Sequence, residues 1–192
     1  FNKWQTILLN TSDEFNGLGH SSTVLGPNMD AYYLAYHNLN SSGGPNRSFN
    51  LSRLYFNGVD MYVNNPLLNN NFTPEMPAFY TNNDDFIKNN DFYLSSSSTS
   101  LNFTAEYNFY NANNKCVFSY VDESNYNYLL VNNENEIKVF EVKNNNTKEI
   151  KSTKLNKQYD YRKLHTLRVV SNGYKYDVYF DNLRKISDEQ YS

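Results

Sequence analysis

Apolar residues in this chain recur at every second position and rarely at helical spacing, which restricts it to strands with one face turned to a core. "LNFTAEYNFY" places Leu101, Phe103, Ala105, Tyr107 and Phe109 on one side. "GYKYDVYF" does the same with Tyr174, Tyr176, Val178 and Phe180, and "HTLRVV" with Leu167 and Val169. "NEIKVFEV" alternates on both sides, Ile137 and Val139 against Phe140 and Val142. Turn clusters such as "VDESNYN" and "VNNENE" separate these runs, and Asn172-Gly173 is a strong hairpin signal. Short, evenly spaced strands of this kind predict an antiparallel sandwich or barrel.

The first third is also β-type but differs in texture. "STVLG" and "AYYLAYHNL" read as two strands joined by the turn "PNMD". After the loop "NSSGGPNRS", "FNLSRLYFNG" and "VDMYVNN" read as two more, joined at Asn57-Gly58. Four strands in a meander have the size of one propeller blade, which is apolar on both faces and needs neighbours. Between the two regions, Pro66, Pro74 and Pro77 fall in a stretch with little periodicity, which predicts an extended linker. The expected organisation is therefore a blade over 1–65, a linker over 66–87 and a sandwich over 88–192.

Composition removes several function classes. The net charge is −3 with no basic run, so the electrostatic footprint of a nucleic-acid binder is missing. No apolar stretch reaches membrane-spanning length. Cys116 is the sole cysteine, which rules out an internal disulfide and a Cys-based zinc site, and its place in "KCVFSYV" predicts a buried, inert thiol. Roughly a sixth of the chain is asparagine, well above ordinary usage. Asn suits turns because it tolerates the left-handed region, and a base-composition bias in the gene would produce the same excess. Asn-x-Ser/Thr triplets begin at Asn10, Asn40, Asn46, Asn50, Asn71, Asn102 and Asn145, candidate glycan acceptors in a secreted protein.

The stretch from Gly17 to Val63 resembles the last blade of the five-bladed propeller glycosidases of family 43, which include arabinanases, β-xylosidases and arabinofuranosidases. The pattern is carried by Gly19-His20-Ser21-Ser22, Gly26-Pro27, Tyr36-His37, Arg53-Leu54 and Asn57-Gly58, and "PEMPAFY" looks like the exit from such a propeller. Residues from about 88 onward resemble the concanavalin-like, laminin-G-like (jelly-roll) sandwich often appended to these propellers, most clearly in "LHTLRVVSNGYKYDVYFDN". The resemblance implies a secreted hydrolase of O-glycosidic bonds in plant-type polysaccharide, with its three catalytic carboxylates on earlier blades and none in this chain. Blade and sandwich both read as incomplete, the remaining blades coming from the same polypeptide or another chain. The alternative is a non-catalytic carbohydrate-binding or structural module of an extracellular glycoprotein assembly. On either reading these residues alone are expected to be inactive as a hydrolase.

Three residues are candidates for the pocket. The resemblance implies that His20 lies near the propeller axis and helps hold a calcium ion through water; as a residue by itself it reads as a structural histidine at a Gly-flanked turn. His37 reads either as a contact near the substrate or as a strand-end residue bonding a loop. Arg53 reads as a neutralising or bracing cation, although Ser52 stands where the family often has Asp. Asp13, Asp30 and Asp60 read as solvated turn carboxylates. Tyr120, Tyr126, Tyr128, Tyr174, Tyr176 and Tyr179 read as exposed sandwich tyrosines able to stack on sugars, or as the core and edge aromatics of a sheet.

Overall fold

The computed structural model describes residues 8–40, 44–63, 73–81 and 84–191. Pro66, the sequon at Asn71 and the run Asn69-Asn70-Asn71 lie outside the described residues. The architecture is all-β and antiparallel, with no helix among the described residues. The chain divides into two compact units, Phe1–Ser97 and Ser98–Ser192.

The first unit holds a four-stranded meander, β1 (Asn16–Leu25), β2 (Tyr32–Leu39), β3 (Arg47–Asn57) and β4 (Asp60–Val63), in the order β1-β2-β3-β4. Aromatic and aliphatic residues fill β2, as suits a pleated, half-buried surface. Tyr33, Leu34 and Tyr36 on β2 and Leu54 on β3 are buried. Tyr33 points to one face and Leu34 and Tyr36 to the other, so the sheet is apolar on both sides. Other large apolar side chains stay exposed, among them Phe49, Phe56, Val59 and Tyr62. The turn before β2 is fastened by Asn28, whose Oδ1 accepts from the Asp30 and Ala31 amides at 3.1 and 3.2 Å. The Gly26 backbone lies so close to Tyr33 that a Cβ there would meet the ring at 2.3 Å, a physical reason for glycine in the Gly-Pro pair.

A two-stranded hairpin, β5 (Phe86–Asn89) and β6 (Phe92–Ser95), also belongs to the first unit. It begins inside the segment expected to be linker, and the second unit starts at Ser98 where the sequence suggested 88.

The second unit is a sandwich of two four-stranded sheets. One runs β8 (Lys115–Asp122), β9 (Asn125–Val131), β10 (Glu136–Lys143), β11 (Asn146–Lys154) as a meander. The other places β7 (Asn102–Phe109) beside β12 (His165–Asn172), followed by β13 (Lys175–Phe180) and β14 (Leu183–Gln190). The alternation of each strand turns one set of residues inward: Phe109, Cys116, Phe118, Leu129, Val131, Ile137, Val139, Leu167, Val169, Tyr176, Val178 and Phe180 form one core. Asparagine supplies much of the unusual backbone. Seven of the twelve described non-glycine residues at positive φ are Asn, which ties the composition to turn geometry. The two-residue turns Asn144-Asn145 and Asp181-Asn182 have positive φ at both positions, the type I′ arrangement that matches strand twist.

Candidate functional site

A β-bulge builds the candidate site. Gly19 pairs with His37 and Ser22 with Ala35, so His20 and Ser21 together oppose the single residue Tyr36. The extra residue puts His20 at φ 52, a region that L-residues rarely adopt. His20 is therefore not at a turn; it is an exposed residue in the interior of β1. The bulge brings its ring to 6.1 Å from that of His37, at an interplanar angle of 33°. His37 pairs across the sheet with Phe49 on β3, and Arg47, two residues before Phe49, shares that face. The Arg47 Nε–H donates to His37 Nε2 at 3.3 Å. Burial first, then the charges of Arg47 and His20, holds the His37 pKa below its ordinary value. Ser22, Tyr36 and Ser48 complete the wall of an open cleft of ≈ 340 Å³. Phe49 stands at its edge with 74% of its surface exposed.

Of the three expected pocket residues, the structure brings His20 and His37 together and leaves Arg53 apart. Arg53 pairs with Tyr33, four residues along β3 from Phe49, or about 14 Å at strand rise. Its guanidinium sits 5.3 Å from the centre of the Tyr55 ring. Ser52 points to the opposite face, where its hydroxyl and that of Tyr36 are 2.9 Å apart. Adjacent strand residues face opposite ways, so Ser52 serves Tyr36 rather than Arg53. Arg47 was missed because its loop-like context, "NSSGGPNRS", hides the first residue of β3; the signal available was its two-residue spacing from Phe49.

The side chains of the cleft do not fit a calcium ion by themselves. Calcium takes six to eight oxygen ligands, commonly carboxylates, whereas the lining residues offer imidazoles, hydroxyls and a guanidinium. Among the described residues no three His, Cys, Asp or Glu are grouped to hold a metal. Asp13, Asp30 and Asp60 are exposed and none lines the cleft.

Sequons fall in different settings. Asn10, Asn40, Asn46, Asn102 and Asn145 are exposed. Asn50 lies within β3, half-buried, its amide donating to Asn38 Oδ1 at 2.7 Å.

In the sandwich, Tyr128 stacks on Phe140 with ring centres 4.8 Å apart, and Tyr126 and Tyr120 continue the row. The Lys115 ammonium lies 4.8 Å from the Tyr128 ring centre. These rings cover one another, leaving Tyr128 buried. Tyr174 is highly exposed, whereas Tyr176 is a core residue against Phe118 and Tyr191, and its buried hydroxyl has no hydrogen-bond partner among the described residues. Cys116 is buried, and burial pushes its thiol up to about 12.

His165, which the sequence reading did not single out, is a buried polar side chain of this unit with a partner at each ring nitrogen. Its Nδ1 lies 2.9 Å from Asp181 Oδ2 and its Nε2 3.1 Å from the Asp160 carbonyl. Asp181 also accepts from the Thr166 amide at 3.0 Å. The imidazole stacks on Phe180 at 5.2 Å, with Tyr159 and Tyr161 edge-on. This arrangement fastens the β13–β14 turn to the start of β12.

No sequence model of a known family matches the chain, and no curated protein matches it. Among solved structures it is similar to the carbohydrate-binding module CBM66 from Bacillus subtilis, at 26% identity and a TM-score of 0.44, over 52% of this chain and 65% of that one. It is also similar to xylan β-1,4-xylosidase from Bacillus halodurans C-125, at 15% identity and a TM-score of 0.35, over 92% of this chain and 45% of that one. The chain thus spans less than two thirds of the length of either.

Proposed function

We propose that this chain is the C-terminal portion of a carbohydrate-active extracellular protein and that the cleft on its blade contacts the saccharide. The observation that carries the reading is the convergence of His20 and His37, 6.1 Å apart, beside the exposed Phe49 and the Arg47 guanidinium. The bulge that produces it falls on the Gly19-His20-Ser21-Ser22 motif through which the blade resembles the family 43 glycosidases. An aromatic platform beside a few convergent polar groups is the usual composition of a sugar site. The saccharide class proposed is plant-type, such as arabinan or xylan.

Hydrolysis of a glycosidic bond uses two carboxyl groups flanking it. The described lining residues of the cleft include none, and the proposal for residues 1–192 by themselves is saccharide binding without hydrolysis. The proposed parent activity is that of an arabinanase or xylosidase, with the acids on other blades, which also cover the apolar faces of the meander. Any calcium at His20 takes its oxygen ligands from those blades. The same lack of carboxylates is what a non-catalytic carbohydrate-binding module would show, and that is the second reading.

The experiment is an assay of residues 1–192 on aryl arabinosides and xylosides, paired with affinity gels carrying arabinan or xylan. Retardation on a gel without turnover is the expected result. Turnover abolished by one carboxylate substitution within the chain would contradict it.

A further inference from the structure

We propose that the cleft selects a carboxylated saccharide, a uronate unit, with the Arg47 guanidinium as its anchor and the Phe49 ring as its platform. The inference rests on the reading that the cleft contacts a saccharide and adds the class of sugar.

Among the described residues Arg47 commits only its Nε–H, to His37 Nε2. Among the described residues no carboxylate pairs with its terminal amino groups. A guanidinium presents its remaining donors as a planar fork that matches a carboxylate bidentately. Because His37 Nε2 accepts from Arg47, the neutral imidazole carries its proton on Nδ1. The contact also fixes the direction of the guanidinium, which lowers the ordering cost on binding. Ser22 adds a hydroxyl, whereas that of Ser48 donates to Asn40 Oδ1, and the described side chains of the lining include no anionic acceptor. Sugar hydroxyls both donate and accept, so what singles out an acidic sugar is a carboxylate that fits the guanidinium fork. The described lining holds a cation and no carboxylate, the complement of a sugar that bears an anion. Phe49 is paired directly with His37 across the sheet, so its exposed ring flanks the guanidinium and can receive the apolar face of the same sugar. The net charge of −3 gives no general attraction for anions, so the selection is local to Arg47.

The test is calorimetric titration of residues 1–192 with digalacturonate, xylobiose and arabinobiose at equal ionic strength, with acetate and sulfate as separate arms. Arg47→Ala, Arg47→Lys and Arg53→Ala are compared with the parent, each checked by circular dichroism for an unchanged fold. Digalacturonate is expected to bind about tenfold tighter than either neutral disaccharide. Arg47→Ala is expected to bring that ratio to within about twofold of unity, Arg47→Lys to keep part of it, and Arg53→Ala to leave it intact. Equal binding of acidic and neutral sugars, or a preference that survives Arg47→Ala, overturns this inference and leaves the saccharide reading standing. Acetate or sulfate binding as tightly as digalacturonate shows a generic anion site and overturns it as well. Failure of every saccharide to bind overturns both.

Discussion

His165 and Asp181, sixteen residues apart in sequence, meet at 2.9 Å and close the end of the β13–β14 hairpin onto β12. The same carboxylate accepts from the Thr166 amide, so one side chain serves two donors. Asp181 has φ 46, a conformation that glycine adopts without strain. Asp181→Gly therefore removes the two hydrogen bonds without adding strain at this φ, at the entropic cost of about 0.5–1 kcal/mol that glycine carries. The sandwich is expected to lose about 2–4 kcal/mol, since each abandoned buried donor costs roughly 1–3 kcal/mol. Urea unfolding followed by circular dichroism checks this, and a loss below about 0.5 kcal/mol would show the pair to be ornamental.

Gly26 and Tyr33 define the tightest approach in the blade. A Cβ at position 26 would lie 2.3 Å from Tyr33 Cε2 and 3.0 Å from the Ala31 carbonyl. Tyr33 is 2% exposed and has little room to yield. Gly26→Ala should cost about 1–3 kcal/mol by overpacking, read as faster amide hydrogen exchange in β1 and β2. Adding Tyr33→Leu should relieve part of that effect; an unchanged exchange pattern in the single variant would contradict the packing described.

Cys116 should stay unreactive while the sandwich is folded. Burial holds its thiol up at about 12, whereas an unfolded thiol titrates near about 8.5. The sign follows: the stabilising effect of keeping the thiol protonated is complete below about pH 8.5 and is lost as pH rises toward about 12, because the unfolded chain releases its proton first. Tyr107 and Tyr176, whose phenols burial also pushes up, act in the same direction at higher pH. Alkylation at pH 8 is expected to be slow in buffer and fast in denaturant, with stability declining above about pH 9. Stoichiometric labelling of the native chain within minutes at pH 8 would contradict it.

What could be read from the sequence was the alternation. The residues it placed on one face, such as Leu167 with Val169 and Tyr176 with Val178 and Phe180, are core residues. Strand geometry maps sequence parity directly onto sheet faces, so this information is local. Turn register was less legible. The Asn-Gly pairs at 57–58 and 172–173 signalled turns, yet the loops are Gly58-Val59 and Gly173-Tyr174, with glycine first and Asn closing the strand. Which pair forms the loop depends on which residues face the core, and the dipeptide does not contain that. The sequence leaves Tyr176 open between an exposed ring and a core aromatic for the same reason: the face it shares with Val178 is legible, the side covered by the second sheet is not, and the structure places it in the core. At the site, His20 and His37 came from a motif, while Arg47 and His165 depend on cross-strand neighbours distant in sequence.

Contact between the blade cleft and a saccharide is read residue by residue in an NMR titration of the ¹⁵N-labelled chain with xylo-, arabino- and galacturono-oligosaccharides. Saturable amide shifts confined to Gly19–Ser22, Tyr36–His37 and Arg47–Phe49 are expected, weakened about tenfold by Phe49→Ala through loss of the stacking surface. Shifts absent from all three segments, or confined to the sandwich, would contradict it.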